Sequence, residues 1–138
     1  MARVSIHAVL LGFGAVLILD TLLGAALFAI LDGDTFSEGG SEQQVKEAMQ
    51  AAISSLAFLL PSMVLGSLTT VVGGYLAARI AKSYPYFNAL ALGLLGAAFG
   101  LLFWPQYPIW FNLLSLVLVV PAALLGGHLL TRSSRTRA

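Results

Sequence analysis

One carboxylic acid stands inside a long apolar run. Asp20 is the sole charged residue between positions 4 and 31. An acid at the centre of a membrane helix costs about 2.5–3.5 kcal/mol on insertion scales, so it must face other helices or a wet cavity. Such a group can bind or pass a proton or cation, hydrogen-bond a neighbouring helix, or contact the helix of another protein. Depth places Ser62 and Ser115 near it. Pro61 removes a backbone donor and frees the carbonyl of Ala57 as a further acceptor. The insertion cost therefore predicts a buried, neutral acid with a hydrogen bond across a helix bundle. The candidate intramembrane polar site is Asp20, Ser62 and Ser115.

The remaining polar residues offer less chemistry. His7 and His128 fall near helix ends on one side. Facing imidazoles can ligate a haem, but so shallow a depth suits contact with headgroups. Asn88, Asn112, Thr69 and Thr70 suit ordinary interhelical or capping bonds. There is no paired carboxylate, no histidine–acid pair in an apolar run and no glycine-rich phosphate loop, since Gly73 and Gly74 lie within such a run. Cysteine is absent, which excludes disulfides, thiolate catalysis and iron–sulfur ligation. The expectation is no enzyme, no cofactor and no metal.

The elements that position Asp20 follow from composition. The 138 residues are 59% hydrophobic and 9% charged, against roughly 25% charged in soluble domains. Disordered chains, nucleic-acid binders and ordinary soluble enzymes are excluded. Apolar runs at about 4–31, 51–80, 87–104 and 108–130 have helix-spanning length. The fold class is all-α: one domain over 1–138, an integral membrane bundle of four transmembrane helices. The first run is too long for the apolar part of a signal peptide, and Asp20 interrupts it.

Charge sets the orientation. Asp32, Asp34, Glu38, Glu42 and Glu47 fall in the polar loop 32–50. Arg3, Arg79, Lys82, Arg132, Arg135 and Arg137 fall at the termini and the second connection. Lys and Arg favour the cytoplasmic side, so both termini should be cytoplasmic and the acidic loop outside. Tyr84, Tyr86 and Phe87 mark the inner boundary, and Phe103, Trp104, Tyr107, Trp110 and Phe111 the outer one. The basic tail would attract anionic lipid.

Ser41 and Gln44 read as a capping box, so the second helix should start outside the membrane near Glu42. It should run to about Ile80 with a disturbance at Pro61; Pro121 should disturb the fourth helix, while Pro108 suits a helix start. Small residues recur four apart: Gly12 and Gly24 with Ala8 and Asp20; Ser62, Gly66, Thr70, Gly74 and Ala78; Ala89, Gly93 and Ala97, with Gly96 and Gly100 beside them. Such rows lie on one helix face and permit close backbone approach, which drives helix association in lipid. A leftover row would suit an oligomer or a partner.

The stretch Gly73-Gly-Tyr-Leu-Ala-Ala-Arg-Ile-Ala81, followed by Asn88-Ala-Leu-Ala-Leu-Gly93, resembles small uncharacterised bacterial four-span membrane proteins. The resemblance implies a bacterial inner membrane and a multi-pass protein, and no activity. The small multidrug transporters are similar only in having four spans and an acid in the first; they are shorter and use glutamate. Two functions are expected. The first is a non-enzymatic accessory, scaffold or partner-binding subunit, with the lipid bilayer, a second copy or a larger membrane protein as partner. The alternative is a small oligomeric proton- or ion-coupled carrier using Asp20. Water access to Asp20 discriminates them.

Overall fold

The computed structural model describes residues 4–31 and 39–135; Arg3, Asp32, Asp34, Glu38 and Arg137 lie outside them. The chain forms α1 (Ile6–Leu31), α2 (Glu42–Ala52), α3 (Leu56–Ala81), α4 (Pro85–Leu102), a 3-10 turn (Trp104–Gln106) and α5 (Ile109–Arg135). There is no strand among the described residues. α1, α3, α4 and α5 are each long and apolar enough to cross a membrane. α2 is short and largely polar.

The capping box forms as expected. The Ser41 hydroxyl accepts from the Gln44 backbone (3.4 Å), and the Gln44 side chain accepts from the Ser41 N–H (2.8 Å). The helix it opens does not run on to Ile80. It ends at Ala52, and α3 starts afresh after Ser55. Two serines cause the break. Ser54 Oγ donates to the Gln50 carbonyl (3.1 Å), Ser55 Oγ donates to the Ala52 carbonyl (3.1 Å), and Ser55 then caps the Phe58 N–H (3.3 Å). Hydroxyls so close to the backbone compete with helix continuation. Pro61 sits inside α3 on an exposed face, and α3 continues through it. α5 likewise continues through Pro121.

The α3–α4 connection is tight. Lys82 and Tyr84 both adopt positive φ, at 56° and 47°, where glycine is the usual choice. Buried Asn88 secures it: its amide nitrogen donates to the Ser83 carbonyl (3.0 Å) and the Tyr84 carbonyl (3.1 Å). Its Oδ1 accepts the Ser5 N–H (2.8 Å), which ties the start of α1 to the same turn. Asn112 acts similarly at the other end, donating to the Trp104 (2.8 Å) and Tyr107 (3.0 Å) carbonyls. Among the described residues no buried side-chain nitrogen or oxygen lacks a hydrogen-bond partner.

α3 is the central helix, with α1 on one side and α5 on the other. α4 packs on α5 and α3 and touches α1 more lightly, whereas α1 and α5 do not pack together. The end of the bundle near the 82–84 turn is closed. Val9, Gly12 and Val16 meet Gly73, Ala77 and Leu92; Gly74 and Ala78 lie buried on the same helix, as do Ala123, Gly126 and Gly127 on α5. The tightest crossing joins α3 and α5. A methyl group added at Gly74 would run into the Ala123 backbone, and one at Gly126 into Val71 and Tyr75. The end near the 103–108 turn is more open, and two cavities enter it.

Candidate functional site: an acid in an open cleft

Asp20 projects from α1 toward α3, halfway along its helix. Thr69 Oγ1, from buried Thr69, lies 2.5 Å from Asp20 Oδ1. The same hydroxyl lies 2.9 Å from the Gly66 carbonyl, which also accepts from Thr70 Oγ1 (2.7 Å). A threonine hydroxyl has one proton. A neutral carboxyl fills both contacts, donating to Thr69 while Thr69 donates to Gly66. An ionised carboxylate accepts the Thr69 hydrogen bond and leaves the Gly66 contact to Thr70 alone. The protonation state of Asp20 is thus written into the hydroxyls of α3.

Two expectations for this site need correction. The bonded partner is Thr69, not Ser62, Ser115 or the Ala57 carbonyl. Ser62 instead donates to the Leu59 carbonyl (2.9 Å). Asp20 is also not buried; within the single chain it is exposed. The reason is architectural: α1 and α5 are not packed together, so among the described residues that side of the acid is left open.

The space between them is a cavity of about 320 Å³. Asp20, Gly24 and Leu27 of α1, Phe58, Ser62, Gly66 and Thr70 of α3, Phe111 and Ser115 of α5, and Tyr107 of the turn before α5 line it. Asp20, Ser62 and Ser115 therefore do share one site, through a cavity rather than through direct bonds. Burial pushes the Tyr107 phenol above the usual tyrosine range. Its ring stacks on Phe111 with centroids 5.1 Å apart, and both rings also line a second cavity of about 350 Å³ between α4 and α5.

The small-residue rows divide on the same line. Gly12, Gly74, Gly93 and Gly96 make close interhelical approaches. Gly24, Gly66 and Gly100 do not: a methyl group at any of them would meet open space. Gly24 and Gly66 line the first cavity and Gly100 the second, so these residues shape voids instead of crossings. Thr70 is buried and also lines the first cavity. Gly73, Gly126 and Gly127 carry contacts that the rows did not single out. The α5 signal was present in Ala122 and Ala123, each four residues before a glycine.

Fold and site together define a class: an all-helical bundle with four helices of membrane-crossing length and apolarity, and one acid in a mid-helix cleft. No family model matches this chain, and neither does any curated protein or solved structure.

Proposed function

We propose that the protein is a non-enzymatic, multi-pass subunit of a bacterial inner membrane, with both termini cytoplasmic. Its cleft between α1 and α5 is completed by another membrane helix, from a larger partner protein or a second copy. One observation carries this reading: a mid-helix acid lies exposed in a cleft that the described residues leave open. In hydrocarbon that exposure costs about 2.5–3.5 kcal/mol, which a covering helix with a polar side chain offsets. The distribution of Lys and Arg supports the orientation.

A photoactivatable cross-linker at Leu23, which lines the cleft, should give a discrete protein adduct in native membranes. The same group at Leu94, exposed on α4, should not. Absence of an adduct at Leu23 overturns the proposal.

The cleft also favours a second reading, an oligomeric proton- or ion-coupled carrier. Its volume is that of several waters at about 30 Å³ each, and Ser62, Thr70 and Ser115 put hydroxyls on its wall. Gradient-driven flux in proteoliposomes should then vanish in Asp20→Asn, which cannot titrate. Flux that persists in that variant excludes the carrier.

A further inference from the structure

The cavity between α4 and α5 has a polar wall that the chain leaves incomplete. Two asparagines close the two ends of the bundle in the same manner, but only one is fully used. Asn88 fills its contacts: Nδ2 donates to two carbonyls and Oδ1 accepts the Ser5 N–H. Asn112 Nδ2 likewise donates to the Trp104 and Tyr107 carbonyls, which fixes the other atom of the amide as the oxygen. That Oδ1 accepts no hydrogen bond from any described residue. Asn112 is only 8% exposed, and no fully buried side-chain oxygen among the described residues is unpaired. Oδ1 is therefore the part of Asn112 that reaches the cavity. Ser115 stands three residues on, near the same helix face. It lines the same cavity, and its hydroxyl has no hydrogen-bond partner among the described residues.

The rest of the wall restricts what can fill this pair. Phe103, Trp104, Tyr107 and Phe111 put four aromatic rings around it. No charged side chain lines the cavity, so a charged guest would enter uncompensated. Gly96 and Gly100 keep the α4 side low, and a methyl group added at Gly100 would meet open space. The volume is about 350 Å³, and an apolar cavity of about 150 Å³ already admits benzene. We propose that this cavity binds an uncharged aromatic alcohol of the phenol class. The ring lies among the four aromatic side chains. Its hydroxyl donates to Asn112 Oδ1 and accepts from Ser115 Oγ, which uses both atoms left unpaired. An aromatic N–H fills only the first role, and a hydrocarbon chain fills neither. The proposal is independent of what covers the Asp20 cleft.

Fluorescence quenching of the detergent-purified full chain tests it. Trp110→Phe leaves Trp104, on the cavity wall, as the sole tryptophan. Bromine quenches indole on contact. Both probes below partition into detergent, so the protein's share is the saturable part of the quenching. At neutral pH, para-bromophenol should bind about fivefold more tightly than para-bromoanisole, which carries the same ring but cannot donate; that ratio is the scale of one net hydrogen bond. Asn112→Leu should equalise the two probes. Should that variant fail to fold, Ser115→Ala and Gly100→Leu keep the test. The first should reduce the preference, and the second, which fills the void, should abolish saturable quenching by either probe. Quenching that never saturates, saturable binding that survives Gly100→Leu, or equal or reversed affinity for the two probes in the parent overturns the proposal. Equal affinity would mean that an acyl chain suits the cavity as well as a phenol does.

Discussion

The pairing of Asp20 with Thr69 shows what a single residue's depth can and cannot specify. The acid itself was legible in the sequence, because a charge in an apolar run needs a reason. Its partner was not. Ser62, Thr69 and Ser115 all lie within reach by depth, and the choice depends on how α1 is rotated against α3. That rotation is set away from the acid, where Gly12 approaches the Gly73 carbonyl so closely that an added methyl would sit 2.9 Å from the oxygen. Thr69→Val should lower stability in detergent by about 0.6 kcal/mol, and at most about 1.7, the range for interhelical hydrogen bonds in membranes. Thr69→Ser should retain it. A double-mutant cycle with Asp20→Leu checks the pair: zero coupling would mean that the two side chains do not interact.

At the scale of elements, helix existence was readable and helix interruption was not. The four apolar runs match α1, α3, α4 and α5 to within a few residues at most ends. Proline drew attention as the breaker, yet Pro61 rides within α3 while Ser54 and Ser55 divide α2 from it. Proline's cost is fixed by its own ring, whereas a serine becomes a stop only when its hydroxyl turns back on the chain. The glycines separate by whether a neighbour crosses there, which spacing alone does not encode. Gly74→Ala and Gly126→Ala should each destabilise by about 1–3 kcal/mol, the usual cost of overpacking. Gly24→Ala and Gly66→Ala should be tolerated, or gain about 0.5–1 kcal/mol as glycine leaves a helix interior. Thermal unfolding in one detergent checks all four; equal losses at all sites would erase the distinction between crossing and void.

For the whole molecule, composition and the length of the apolar runs carried the architecture, because four uncharged or nearly uncharged runs of that length each form one long helix. The division into a closed end and an open end was beyond that reach. It arises from which helices touch, and nothing in the runs themselves says that α1 and α5 stay apart. Orientation has a direct check. Cysteines at Gln43, exposed on α2, and Ser83, exposed in the α3–α4 turn, should react with an impermeant maleimide from opposite sides of the membrane. Gln43 should react from outside. Labelling of both from one side is incompatible with the four-span bundle.

The bond from Ser5 to Asn88 joins residues 83 positions apart. It gives the bundle a clock. During synthesis at about 5–20 residues per second, the start of α1 waits roughly 4–17 s before the side chain that anchors it has been made. Throughout that interval the start of α1 lacks this anchor, and α3 is the first of its packing partners to emerge. Its acid therefore spends the early life of the chain without Thr69, and any helper that shields nascent spans would have its strongest client in this first helix.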